Sequence, residues 1–186
     1  MSPARIMRRA PLDCLRPVLL LKESLYQLVL TAALALSAVC FRPLLPIDET
    51  RYLSVAWEMH TGRDFLVSRL NGETYAHKPP LLFWVINTVW GITGVHEIPA
   101  RLCAPAIAAI SVLLTGRLAR RLWPDLTDLR VCAPLVHCSL LLWMLFSPLT
   151  MFDSLLTLCC QLTLLGWLRM ARGLSVSGCL LAGLGI

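Results

Sequence analysis

The sequence predicts an all-α protein built as a polytopic membrane helix bundle, and three observations carry that expectation. The first is composition. Of 186 residues, 57% are hydrophobic and 15% charged, against about 45–50% and about 25% in a soluble domain. The second is where the charges are missing. The 18 residues between Glu23 and Arg42 carry none, and neither do Pro79–His96, Val131–Phe152 and Ser154–Leu168. A bilayer crossing needs about 20 mostly apolar residues, so several of these runs are long enough. The third is asymmetry: Arg and Lys gather in 1–23, 117–130 and 169–172, as the positive-inside rule expects of cytoplasmic segments.

The elements follow in order. Residues 1–23 form a basic leader, with Arg5, Arg8, Arg9, Arg16 and Lys22 against Asp13 and Glu23. The first span is expected at about 24–45. Ala33-Leu34-Ala35 resembles a cleavage site, but the apolar run continues to Phe41, which suits an uncleaved anchor. Residues 46–97 then form an external loop. Its polar part, 46–78, holds Asp48, Glu49, Glu58, Asp64 and Glu73 against Arg51, Arg63, Arg69 and Lys78, a net of −1. Tyr52, Val55, Ala56 and Met59 recur at i, i+3, i+4 and i+7, the stripe of an amphipathic helix, and Trp57 suits the membrane interface. Thr61-Gly62 ends that helix and Asn71-Gly72 marks a turn.

Parity decides the next two apolar runs, 79–95 and 98–116. If both crossed, the basic loop 117–130 would lie outside. The 79–95 run opens with Pro79-Pro80 and carries Trp84, Asn87 and Trp90, so it is read as a second interfacial helix. The remaining spans are expected at about 98–116, 131–147, 154–168 and 174–186. The last is still apolar at Ile186, and the chain is expected to be the first part of a longer protein.

A net charge of +6 and a pI of about 9.1 are explained by this topology. No basic stretch is interleaved with aromatics on a soluble face, so nucleic acid is excluded as a partner. The eight cysteines form no CxxC pair and mostly lie in apolar runs. They read as small buried hydrophobes, with no disulfide framework or structural zinc.

Three polar groups on the external side are candidates for chemistry. Asp48 and Glu49 open the amphipathic helix; they either cap it and complement its dipole or serve as a general base at the membrane exit. Tyr75-Ala76-His77-Lys78-Pro79-Pro80 holds either a snorkelling lysine or a cation for a phosphate, with two prolines setting its entry point. Asp153, after the Pro148–Phe152 turn, is either an N-cap or a second acid. His60, His77 and His96 match no compact zinc motif, and His137 falls inside a span.

Taken together, Asp48-Glu49-Thr50-Arg51-Tyr52, Trp57-Glu58-Met59, Gly62-Arg63-Asp64-Phe65, Tyr75-Ala76-His77-Lys78-Pro79-Pro80-Leu81 and Arg101 resemble the N-terminal part of a GT-C-fold glycosyltransferase. The likeness is to the bacterial branch that includes lipid A aminoarabinose transferases and relatives of the protein O-mannosyltransferases. It implies an inner-membrane enzyme with its N-terminus cytoplasmic and its site facing the periplasm. Such an enzyme takes a sugar from a polyprenyl-phosphate donor, with inversion, to a lipid or protein acceptor. By the same resemblance Asp48, Glu49 and Asp153 are the acids, and Lys78 pairs with the donor phosphate. Arg51, Tyr52 and Tyr75 join it in binding substrate. The aminoarabinose transferases commonly carry Glu where this chain has His77, a position linked to a divalent metal; histidine is itself a metal ligand. Relatives have around a dozen spans, so this chain alone is expected to be inactive. The competing reading is a membrane scaffold or transporter piece without chemistry. Convergence of Asp48, Lys78 and Asp153 on one external cavity separates the two.

Overall fold

A computed structural model describes residues 16–126, 128–171, 173 and 176–185 of the chain. The basic leader through residue 15 and Arg172 lie outside the described residues. Helix α1, Arg16–Phe41, contains the uncharged run 24–41 but begins within the expected leader and stops short of the expected span end at 45. It stops where the residue before Pro43 is pushed out of helical geometry. The amphipathic stripe forms α2, Asp48–Gly62, burying Tyr52, Val55, Ala56 and Met59 as its spacing requires, together with Glu49.

Two-residue strands β1, Arg69–Leu70, and β2, Glu73–Thr74, pair antiparallel around Asn71-Gly72. They are a small β element that the helical pattern did not foretell. Asn71 and Gly72 both have positive φ, 55° and 81°, the requirement of a tight hairpin turn. The Glu58 carboxylate accepts both of their backbone N–H groups, which ties the hairpin to α2.

Helix α3, Leu81–Thr93, follows Pro80 and has 13 residues. At 1.5 Å per residue it is about 20 Å long, short of the roughly 30 Å hydrocarbon core. It buries Leu82, Phe83, Ile86, Asn87 and Trp90. Helix α4, Glu97–Leu122, has 26 residues. Among the described residues it is the one helix both long and apolar enough to cross a membrane. Its end runs past the expected boundary at 116 and carries Arg117, Arg120 and Arg121 beyond the apolar stretch.

The apolar run 131–147, expected as one span, is divided between α5, Leu129–Ser139, and α6, Leu141–Phe146. Leu140 between them is extended, with φ −65° and ψ 121°, which ends the hydrogen-bond ladder of α5. Helices α7, Asp153–Met170, and α8, Val176–Leu184, complete the chain. They approach closely: a Cβ added at Gly166 would meet the Gly178 carbonyl oxygen at 2.7 Å. Helix α4 packs against α1, α3, α5 and α7, and α2 packs on α3.

The main core lies where α2, α3, the start of α4 and the start of α7 meet. Tyr52, Val55, Met59, Phe83, Ile86, Ile107, Phe152 and Leu155 pack together there. Phe83 is fully buried, with Tyr52, Tyr75 and Phe152 around its ring.

A polar chain threads this junction. Arg101 on α4 is nearly fully buried. Its guanidinium donates to the Ala38 and Arg42 carbonyl oxygens at 3.0 and 2.8 Å and to Glu97 Oε1 at 3.0 Å. It thereby ties the end of α1 to α4, adding a second donor to the Ala38 carbonyl, which also accepts Arg42 N at 3.2 Å. Arg42 Nη1 donates to Glu49 Oε2 at 2.7 Å, as does Leu45 N at 2.8 Å. Glu49 Oε1 accepts Thr150 N at 2.7 Å. Burial alone would raise the Glu49 pKa, but the Arg42 guanidinium and the Thr150 and Leu45 N–H groups outweigh it and hold the carboxyl below its ordinary value of 4.5. Ile47, bracketed by the Leu45–Glu49 bond, sits at φ 77° and ψ −54°. Such a conformation costs a β-branched residue on the order of 1–3 kcal/mol and persists only where its surroundings over-determine it.

Two outcomes are expected. Phe83→Ala destabilises the protein by about 3–5 kcal/mol, read as a lower unfolding midpoint in detergent micelles. A carboxylate with a depressed folded pKa contributes stability that is complete above its unfolded pKa and lost as pH falls through the folded value. Unfolding midpoints measured from pH 6 downward therefore begin to fall near the Glu49 reference value of 4.5, and Glu49→Gln flattens that part of the curve.

Candidate active site

The site is built at the end of the bundle where two helices begin. Asp48 and Asp153 are the first residues of α2 and α7. Neither helix has a side-chain cap bond at its N-cap position, so the capping explanation does not describe these acids. Both sit in first turns, where the helix dipole favours negative charge. Asp48 Oδ1 is held instead by Arg51 Nη2 at 2.8 Å. Asp153 is exposed.

Between the acids lies an aromatic platform. The Phe152 ring packs edge-on against Tyr52, with centroids 5.1 Å apart, and against Phe83 at 5.4 Å. Lys78 Nζ stands 5.7 Å above the Phe152 ring centroid, and the Arg51 guanidinium 5.7 Å from that of Tyr52. These are cation–π distances. Tyr75 is buried and lies against His77 at 5.3 Å and Phe83 at 6.4 Å. The hairpin places this segment: Tyr75 N donates to Ser68 O at 2.8 Å.

Burial raises the Tyr52 pKa, and Tyr75, Asp48 and Asp153 raise it further against the opposing pull of Arg51. Asp48 adjoins Glu49, whose carboxylate accepts Thr150 N, and Asp153 adjoins Phe152, whose ring packs on Tyr52, so the two acids lie at the same end of the molecule. Asp48, Arg51, Tyr52, Lys78 and Asp153 are thus gathered around Phe152, whereas Glu49 is separated from them by full burial. Asp153 lines a cavity of about 550 Å³ with Trp143, Phe146, Met151 and Thr157; Asp48 and Lys78 do not line it, so the three do not share this cavity.

The histidines divide. His60 Nδ1 meets Asn87 Oδ1 at 3.0 Å and its ring packs on Trp90, so it joins α2 to α3. His77 touches the Tyr75 ring. Among the described residues no three His, Cys, Asp or Glu side chains come together to hold a metal ion. The groups around His77 do not make a metal site by themselves, and no chemical step is derived through one.

Sequence reasoning passed over Phe152, Arg42 and Thr150. Phe152 follows an apolar run and precedes an acid, a pattern with no distinctive signal. Arg42 served only to mark the end of an apolar run, although its place between Phe41 and Pro43 put a cation at a helix exit.

Comparison with known proteins places the chain in a family. The family model for dolichyl-phosphate-mannose-protein mannosyltransferases matches residues 77–186, a segment that contains Lys78, Arg101 and Asp153. Curated relatives are named undecaprenyl phosphate-alpha-4-amino-4-deoxy-L-arabinose arabinosyl transferase. The Pseudomonas aeruginosa protein is 35% identical over 86 residues, 46% of this chain and 16% of its own length. The Enterobacter protein is 32% identical over 110 residues, 58% and 20%. A second form from Sodalis glossinidius is 28% identical over 138 residues, 74% and 25%. The chain thus spans a quarter or less of the length of these relatives. No solved structure matches. Because the family model covers more than half of the chain, the protein belongs to the dolichyl-phosphate-mannose-protein mannosyltransferase family, a GT-C-type family of membrane glycosyltransferases.

Proposed function

We propose that these residues form the acidic-loop and donor-phosphate part of an inverting membrane glycosyltransferase. It moves a sugar from a polyprenyl-phosphate donor to a lipid or protein acceptor on the outer side of a bacterial inner membrane. The observation that carries the reading is the chain of contacts from Asp48 through Arg51 and Tyr52 to Phe152, with Lys78 over the Phe152 ring and Asp153 next to it in sequence. A scaffold has no evident need to bring two acids and a cation to one aromatic cluster.

In this reading the acceptor hydroxyl or amine attacks the anomeric carbon while the bond from that carbon to the phosphate oxygen breaks. The electron pair leaves with the phosphate, and Lys78 stabilises the charge that develops there. Asp48 orients the attacking group and takes its proton, with Arg51 fixing its carboxylate at 2.8 Å. Asp153 supports the acceptor from the facing helix. The names of the relatives favour a 4-amino-4-deoxy-arabinose donor on undecaprenyl phosphate.

The proposed topology is multi-pass with a cytoplasmic N-terminus. The arginines of 117–130 lie inside, and α2, the hairpin and α3 lie at the outer interface. The balance of charge between 46–78 and 117–130 supports it through the positive-inside rule.

The test is sugar transfer from an undecaprenyl-phosphate-linked donor in membranes holding the complete product of the gene. Asp48→Asn is expected to lower kcat by about 10²–10⁴-fold, and Lys78→Met by about 10²–10³-fold. Transfer that survives both substitutions at the wild-type rate overturns the reading. The 186 residues assayed alone are expected to give no transfer, since they align with a quarter or less of the relatives' length.

A further inference from the structure

Among the described residues Glu49 is the one acid with no solvent exposure. Both of its oxygens are occupied: Oε1 by Thr150 N, and Oε2 by Arg42 Nη1 and Leu45 N. With three of its roughly four lone-pair sites taken and no solvent exposure, this carboxylate is not presented to an acceptor. Its connections reach both acid-bearing segments. It follows Asp48 directly on α2, and it holds the backbone of Thr150, three residues before Asp153, across 101 positions of sequence. Its bond to Leu45 closes the strained bend at Ile47, the residue before Asp48, and its bond to Arg42 anchors it to the end of α1.

We infer that Glu49 is a positioning residue: its buried carboxylate sets the separation and orientation of Asp48 and Asp153 without touching substrate. The inference rests on the proposed roles of those two acids. Arg42 and Arg101 extend the same function. Arg101 holds the Arg42 carbonyl oxygen at 2.8 Å, so the end of α1 to which Glu49 is anchored is itself fixed to α4.

The test joins hydrogen exchange to kinetics on the complete gene product in detergent micelles. In Glu49→Ala, amide exchange across residues 147–153 is expected to rise about tenfold or more. Exchange across α4, residues 97–122, is expected to stay at the wild-type rate and reports that the fold is intact. kcat is expected to fall at least about tenfold with KM for donor and acceptor changed by less than about twofold, the signature of lost transition-state geometry. Glu49→Gln keeps a carbonyl oxygen for Thr150 N–H and is expected to fall between wild type and Glu49→Ala in both measurements. If Glu49→Ala loosens α4 as well, the Gln variant decides. Unchanged exchange at 147–153 overturns the inference, as does a rise in KM at constant kcat. So does a Glu49→Gln variant as slow as Asp48→Asn with wild-type exchange, which would mean direct chemistry. If Asp48→Asn transfers sugar normally, the functional reading falls, and the exchange result still judges the link from Glu49 to Thr150.

Discussion

A carboxylate removed from water must be paired, and the junction of this protein is organised around that demand at Glu49. Three donors from three places in the chain meet its two oxygens. Removing one partner of such a buried pair typically costs about 3–5 kcal/mol, because the other charge is left uncompensated. The chain has reason to concentrate its polar partners here. Helix α1 ends beside apolar elements, where the Arg42 carbonyl just past its last residue needs a donor that aliphatic side chains do not supply. Arg101 meets that need from within α4, which explains an arginine in a helix otherwise apolar enough to cross a bilayer.

The candidate site inherits its geometry from this junction. Helices α2 and α7 begin at the same end of the molecule because the turn before α7 is bonded to the second residue of α2. Their first residues are both aspartates. The aromatic core fills the gap between them, and the hairpin braced by Glu58 carries Lys78 across to Phe152. Arg51 pairs with Asp48 at 2.8 Å beside this cluster, and Lys78 stands over the ring of Phe152, the residue before Asp153.

Much of the helical frame was legible in the residues. The stripe Tyr52, Val55, Ala56, Met59 is the buried face of α2, because a period of 3.6 leaves few alternatives for those side chains. Asn71-Gly72 is a turn because both residues tolerate positive φ. Other features depend on partners distant in sequence. The run 131–147 has no charge to interrupt it, yet the helix breaks at Leu140, and no local residue announces the break. Glu49 and Asp48 are neighbours with the same functional group and the same capping propensity. One is fully buried and the other half-buried beside Arg51, and only the packing of the 147–152 turn against α2 separates their fates.

By itself the sequence determined that the protein is helical and apolar enough for a membrane. It also determined which face of α2 is buried and which few polar residues topology leaves unexplained. These properties follow from composition and from periods of a few residues, which the chain carries locally. The tertiary structure decided which of those polar residues belong together. It brought Asp48, Lys78 and Asp153 around one aromatic cluster, withdrew Glu49 into the junction, and left His77 without companions to hold a metal among the described residues. The physical reason is that pairing a buried charge and stacking an aromatic ring are contacts between segments up to a hundred positions apart, and such contacts leave no periodic trace in either segment.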